Sequence, residues 1–323
     1  MKSIEIKNTG GPEVLELKDI KLSDPKSGEV LIKQVAIGLN YIDTYHRSGL
    51  YPLTLPSGIG LEGAGIIEKA GSNTNGFKEG DKVAYAAAPI GSYATHRIYP
   101  VKNLIKVPEG IDLETVASIM TKGLTTFYLL HKAYEAKSGE TVLFHAAAGG
   151  VGQIFCQWAK SLGCNVIGTV GSDEKIEIAN QNGCSHVINY NKEDFQKEVM
   201  KITNDRGIPV VYDGVGKVTM EKSLNCLKMR GMFVSFGNAS GKIDPLDVGK
   251  LIAPKGLFLT RPSIAHYTST RAELDEAATK LFDMIKSKKV IVKIFKKYTL
   301  DETVQAHKDL EGRKIIGPAI ITP

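Results

Sequence analysis

The sequence predicts an α/β protein of two domains: a β-rich domain and a doubly wound parallel sheet with helices on both faces. Three observations lead there. At 323 residues the chain exceeds what one hydrophobic core usually serves. From 124 to 262, apolar strands alternate with helical segments, the rhythm of strand–helix–strand units. Before about residue 120, short strands are broken by frequent Gly, Pro and Asn turns, which suits a sheet domain.

In chain order, VLIKQVAIGLN (30–40) reads as a strand running into a loop. GAGIIEKAGS (63–72) and DKVAYAAA (81–88) read as strands, and 102–107 as a short strand ended by Pro108-Glu109-Gly110. Further strands are expected at about 141–146, 165–170, 186–189, 208–213 and 231–236, with helices near 151–162, 173–181, 193–203 and 217–228. Residues 256–260 fit one more strand. After Pro262 a long helical segment (about 271–287) precedes strands and a short helix. This tail is too small to fold alone, so it is expected to pack back onto the first domain. The predicted division is 1–123 completed by 263–323, and 124–262.

Residues 139–160, GETVLFHAAAGGVGQIFCQWAK, carry the strongest chemical signal. An apolar run leads into Gly149, Gly150 and Gly152, and an amphipathic helix follows at once. Residues without bulk let backbone N–H groups approach a diphosphate at a helix N-terminus, where the helix dipole also favours negative charge. Ala147 stands where a strict G-x-G-x-x-G would begin, so the letters alone do not separate a dinucleotide site from a plain strand–helix turn. The strand before, the helix after and the alternation downstream favour the site.

Composition narrows the remaining classes. With 42% hydrophobic and 24% charged residues, the chain suggests neither disorder nor a membrane class. No apolar run is long enough to span a bilayer. The N-terminal MKSIEIKNTGGPEV has no signal-peptide core. Cys156, Cys164, Cys184 and Cys226 lack metal-ligand spacing and read as reduced, mostly buried thiols of a cytoplasmic protein. The net charge of +6 is modest. In KSKKVIVKIFKKY (286–298), lysines interleave with Phe295 and Tyr298. No nucleic-acid motif accompanies it, so we read a solvated helix end followed by a strand with apolar residues inward.

A set of motifs runs essentially end to end: GGPEVLEL (10–17), IGLNYIDTYHRSGLYP (37–52), PSGIGLEGAG (56–65), TKGLTTFYLL (121–130), HAAAGGVGQ (145–153), VYDGVG (211–216), VSFGNASG (234–241) and TRPS (260–263). Through them the chain resembles the zinc-independent quinone oxidoreductases, the zeta-crystallin-like branch of the medium-chain dehydrogenase/reductase superfamily, and most closely the bacterial NADPH:quinone reductases. The resemblance implies a GroES-like catalytic domain completed by the C-terminal segment, a Rossmann domain, and a homodimer.

Zinc alcohol dehydrogenases of the same superfamily hold catalytic metal with a Cys after the first strand and a His beside a Glu. Here Asn40 and Leu61 stand at those positions, Leu61 beside Glu62, and every cysteine lies beyond residue 150. Asn and Leu cannot replace thiolate and imidazole, so no metal is expected, and nearby His46 reads as an exposed or packed histidine. Oxidising an alcohol needs help in removing its proton, whereas reducing a quinone needs only donors that stabilise an oxyanion after hydride arrives. By resemblance, Asn40, Tyr45 and Tyr51 lie on a loop facing the nicotinamide and orient cofactor and acceptor. A tyrosine of ordinary acidity stays protonated at neutral pH and can donate. Packing within a turn is the alternative for both tyrosines. Arg47 reads equally as a steering cation and as an ion-pair partner of Glu62.

Cofactor choice is argued from the second strand of the parallel sheet. An NAD enzyme places Asp or Glu at its tip; here the strand ends in Gly171-Ser172, with no carboxylate to repel a 2′-phosphate. Lys175, in the first turn of the next helix, can reach such a phosphate, and the resemblance adds Tyr190. Asp173 and Glu174 nearby count against this, and Lys175 reads alternatively as a solvated helix lysine. NADPH is the expected cofactor. Beside Ala148, Gly149, Gly150 and Val151 in the turn, the resemblance assigns Lys122 and Thr125 near the diphosphate and nicotinamide. It adds Phe236, Gly237 and Ser240 after the fifth strand and Arg261 after the sixth. Plain readings exist too: Phe236 as core, Gly237 as a turn, Lys122 as surface. Three functions stay open, in this order: NADPH-dependent quinone reduction, NADPH-dependent reduction of enones or alkenals, and a non-enzymatic crystallin-like or RNA-binding role.

Overall fold

The computed structural model describes residues 1–323, which divide into two units: residues 1–122, 268–286 and 292–323, and residues 123–267 and 287–291. The first stretch forms strands β1 (Lys2–Ile6), β2 (Glu16–Asp19), β3 (Glu29–Gly38), β4 (Ser57–Gly58), β5 (Glu62–Ala70), β6 (Lys82–Ala86), β7 (His96–Pro100) and β8 (Ile105–Lys106), with helices α1 (Tyr41–Ser48) and α2 (Leu113–Tyr128). The middle alternates β9 (Thr141–His145), α3 (Gly150–Ser161), β10 (Asn165–Val170), α4 (Glu174–Gln181), β11 (His186–Asn189), α5 (Phe195–Ile202), β12 (Ile208–Asp213), α6 (Met220–Cys226) and β13 (Leu227–Ser235). It closes with α7 (Val248–Leu251), β14 (Phe258–Thr260) and α8 (Ile264–Tyr267). The tail adds α9 (Arg271–Lys286), β15 (Lys296–Thr299), α10 (Thr303–Glu311) and β16 (Ala319–Thr322).

The middle unit is the doubly wound sheet. Its six strands run parallel in the order β11-β10-β9-β12-β13-β14, so strand order reverses beside β9, where such sheets bind ligands at their carboxyl ends. Helices cover both faces, which is why β12, IPVVYD, is buried at every position rather than alternating. Leu143, Ile167, Val211 and Phe233 form the centre of the core with Leu224 and Val199 from the helices.

The other unit is built on a seven-stranded sheet ordered β15-β16-β3-β5-β6-β8, with β7 also on β3. The tail enters it directly, since β16 pairs antiparallel with β3 at Ile37 and Gly38. Ile4, Ile37, Tyr93, Tyr298 and Ile321 are buried together, so residues from both chain ends share one core.

Several details depart from the sequence reading. Residues 41–48 are a helix, not a loop: Asn40 precedes it in extended conformation (φ −132°), its N–H bonded to Asp43 Oδ2, and Gly49 stops it in the left-handed region (φ 82°). Residues 113–128 form helix α2, where the sequence reading has no helix. Strand β13 starts at Leu227, directly after α6, because a register shift at Ile208/Val210 lets its first residues pair early. The lysine-rich segment is not a strand with apolar residues inward. Strand β15 begins only at Lys296; Val290 is buried, but Ile291 and Phe295 are exposed. Residues 263–267 and 287–291 go with the middle unit, where Tyr267 stacks on Tyr128 (5.1 Å) and Gln157 bonds both the N–H and the carbonyl of Ile291 (2.8 and 3.1 Å).

Arg47 does not pair with Glu62. Its guanidinium is buried and takes Glu311 of α10 bidentately (3.0 and 2.7 Å), with further bonds to the Gly10 carbonyl and His307 Nδ1. Arg47→Met takes the donor from buried His307 Nδ1 and from the part-buried Gly10 carbonyl, while half-exposed Glu311 returns to water. We expect a loss of about 2–4 kcal/mol, read as a lower midpoint in denaturant titration.

Candidate functional site

In the middle unit the glycine turn follows β9 as expected, but an alanine bends it. Ala146 takes the left-handed conformation (φ 60°), and Gly149 starts α3 with no capping side chain, leaving the first-turn N–H groups for a ligand. A Cβ on Gly152 would lie 2.5 Å from the carbonyl oxygens of Ala146 and Ala147, so only glycine lets the helix seat this close. The glycine missing at 147 is compensated across the sheet. A Cβ on Gly168 of β10 would come within 2.7 Å of the Ala147 methyl and 2.6 Å of Cys184 Sγ.

At the tip of β10, Tyr190 comes to Gly171: a Cβ there would sit 2.6 Å from its hydroxyl. Asp173, which counted against a 2′-phosphate, is engaged by Lys192 and by Asn189 (2.7 Å), and these bonds hold its carboxyl below the usual range. Ser172 bonds Glu174 (3.2 Å), and its carbonyl accepts the Lys175 N–H (3.2 Å). Gly171, Ser172, Lys175 and Tyr190 thus gather at one strand tip.

The loops after β12 and β13 form a second ledge at the carboxyl edge. Arg261 donates to Ser235 Oγ (2.9 Å) and the Gly237 carbonyl (2.8 Å), and Ser240 Oγ donates to the Val215 carbonyl (2.8 Å). Gly237 is required sterically, since a Cβ would lie 2.3 Å from Gly214 O. Phe236 is half-buried rather than core, its ring 5.6 Å from that of Phe144. Asp213, which sequence reasoning missed, organises this ledge. Its buried carboxylate accepts from the N–H groups of Val215 and Gly216 and from Thr219 Oγ1. The signal available was an Asp ending an apolar strand just before Gly-x-Gly. Thr125 lies buried on α2 in the same unit.

In the other unit, Asn40 sits in a buried ionic network. Its Nδ2 donates to Glu62 Oε2, and its Oδ1 accepts from Lys122 Nζ (2.8 Å), which lies 3.5 Å from the same Glu62 oxygen. Lysine only donates and carboxylate only accepts, so the amide orientation is unambiguous. Lys122 is therefore not a surface lysine. Gly38 makes the room: a Cβ there would lie 1.9 Å from Glu62 Oε2. Tyr45, on α1, packs edge-on to Tyr51 (5.2 Å), which folds back past Gly49 with its N–H on the Tyr45 carbonyl (3.0 Å). His46 is packed, edge-on to Tyr51 at 5.8 Å, and burial pushes its pKa down.

A family model described as alcohol dehydrogenase GroES-like domain matches residues 26–109, and one described as zinc-binding dehydrogenase matches 150–287. The chain is 46% identical over 323 residues to a quinone oxidoreductase of Pseudomonas aeruginosa, covering 100% of this chain and 99% of the relative. The chain belongs to the quinone oxidoreductase family. It is also 43% identical to a 2-haloacrylate reductase of a Burkholderia species, over 98% of each chain. A crystal structure of Escherichia coli quinone oxidoreductase complexed with NADPH matches with a TM-score of 0.98 at 44% identity, over 100% of both chains. The fold is accordingly GroES-like plus Rossmann.

The donor set does not fit the zinc named in one of those descriptions. Asn40 and Leu61 offer neither thiolate nor imidazole, Glu62 is engaged by Asn40, Lys122 and the Thr121 N–H, and no three His, Cys, Asp or Glu side chains gather to hold a metal. The turn is tested by Gly152→Ala, whose methyl must displace two backbone carbonyls. We expect about 1–3 kcal/mol lower stability in denaturant titration.

Proposed function

We propose that this protein reduces quinones with NADPH, without a metal ion, as a cytoplasmic homodimer. The observation that carries the reading is the neutral donor set around α1, Asn40 with Tyr45 and Tyr51, where the superfamily's zinc enzymes place a metal ligand, in a chain alike end to end to quinone oxidoreductases. Bound NADPH supplies the hydride. The N–H groups after Gly149 suit its diphosphate, with Ala148, Gly150 and Val151 lining the turn; Ser172, Lys175 and Tyr190 suit the 2′-phosphate. Lys122, Thr125, Phe236, Gly237, Ser240 and Arg261 complete the cofactor contacts we propose. Asn40 keeps one amide N–H and one oxygen lone pair beyond its bonds to Glu62 and Lys122, enough to orient a ring or carbonyl. Tyr45 and Tyr51 donate to the acceptor oxygen as negative charge collects there.

Reduction of an activated double bond is the second reading, favoured by the likeness to the 2-haloacrylate reductase. Haloacrylate carries a carboxylate, whereas on α1 Arg47 is committed to Glu311 and His307. That supports an uncharged acceptor. A homodimer is supported by the edge strand β14, which leaves one side unpaired and exposes Phe258 and Leu259. The four free, buried cysteines suit a reducing compartment, and no helix is long and apolar enough to cross a membrane.

An acceptor screen tests the reading: benzoquinone should be reduced faster than an unsaturated aldehyde or 2-chloroacrylate, and the reverse order overturns it. Tyr51→Phe should cut kcat with benzoquinone by roughly tenfold or more, as loss of one oxyanion donor does. Lys175→Ala should raise KM for NADPH and leave KM for NADH unmoved; equal efficiency of the two cofactors with the unaltered enzyme refutes the assigned 2′-phosphate contacts.

A further inference from the structure

A line of buried polar side chains runs from the surface of the GroES-like unit to the backbone of Asn40. Glu311 holds Arg47, and Arg47 Nη1 lies 3.1 Å from His307 Nδ1. His307 Nε2 lies 3.1 Å from the Tyr93 hydroxyl, and that hydroxyl donates to Asp43 Oδ2 (2.9 Å), which also accepts the Asn40 N–H (2.9 Å). Arginine can only donate, so Nδ1 of His307 accepts and its proton sits on Nε2. Tyr93, receiving that proton's bond, turns its own toward Asp43. From His307 inward, every donor therefore points at one buried carboxyl, whose other oxygen, Oδ1, has no partner.

We propose that Asp43 is a positioning residue whose charge sets the geometry of Asn40. Ionised, it holds the Asn40 N–H and the first turn of α1, and with them the amide seated between Glu62 and Lys122. Protonated, it weakens that hold. The inference rests on the reading of Asn40 as the residue that orients cofactor and acceptor.

The groups facing Asp43 make this switch act near neutrality. Burial pushes its carboxyl up to about 7, and Glu62 of β5 adds to the rise; the Asn40 N–H, the Tyr93 hydroxyl and Lys122 of α2 oppose it. His307 of α10 stays neutral, its pKa driven down to about 3 by burial and by Arg47, so it adds no charge. A freely hydrated carboxylate would be ionised throughout the working range and could not report pH.

The test is kcat and KM for NADPH against pH, with benzoquinone as acceptor, for the unaltered enzyme and for Asp43→Asn, Tyr93→Phe and Asn40→Ala. Thermal denaturation and circular dichroism report folding of each. The unaltered enzyme should lose kcat/KM as pH falls through about 7, where the carboxyl takes its proton. Asp43→Asn should abolish that acid limb and lower kcat/KM at pH 8 by about tenfold. Tyr93→Phe removes a donor to the carboxylate, so its limb should move to higher pH; this variant also decides the matter if Asp43→Asn does not fold. An unchanged limb in Asp43→Asn, beside a damaged Asn40→Ala, overturns the positioning role alone. An Asn40→Ala enzyme with normal kinetics overturns the reading of Asn40 and this inference with it.

Discussion

Glu62 is wholly buried, and a carboxylate there needs partners on both oxygens. It finds the Thr121 N–H on one, and the Asn40 amide and Lys122 on the other. Taking two charges out of water costs several kcal/mol per ion, so attraction within the pair largely offsets desolvation rather than adding stability. What the arrangement supplies is placement. It ties the end of β3, the start of β5, the cap of α1 and the middle of α2 to one point, and the side chain at that point is Asn40. Gly38 has to be glycine for the same reason, since the carboxylate occupies the space a side chain would take.

The middle unit solves a different problem, bringing backbone and short side chains to one sheet edge. Parallel strands do this by construction, because every βα loop leaves at the carboxyl end. The local devices are steric and polar: a left-handed Ala146, a glycine under Tyr190, and Asp213 gathering three donors into one loop. Asp173 shows how an acid close in sequence to the strand tip we propose for the 2′-phosphate can be held by its own neighbours, Lys192 and Asn189.

Much of this was legible in the sequence, and the reasons differ by unit. In the middle unit β12 is buried at every position between Gly207 and Gly214, and β11 is a short apolar run ending at Asn189, so both fall at the predicted residues, 208–213 and 186–189. Helix α1 was not legible, because its start is signalled by a capping Asn already claimed for chemistry and its eight residues are polar on balance. The partner of Arg47 is hidden from the sequence for a similar reason. Its partner Glu311 is 264 positions away, and only the fold makes them neighbours. Nothing local marks Asp43, since Tyr93 and His307 reach it only through the fold. By contrast, the glycine turn was found although its fingerprint was incomplete, because its setting between strand and helix was intact.

That incomplete fingerprint has a wider meaning. The methyl of Ala147 is tolerated because residue 168, on the adjacent strand, has no side chain to collide with it. The quantity being preserved is a space shared by two strands, and either strand can hold the smaller residue. Dinucleotide turns of this kind would be recognised more faithfully by scoring both positions as a pair, with the sum of their volumes held constant, than by reading letters along one segment.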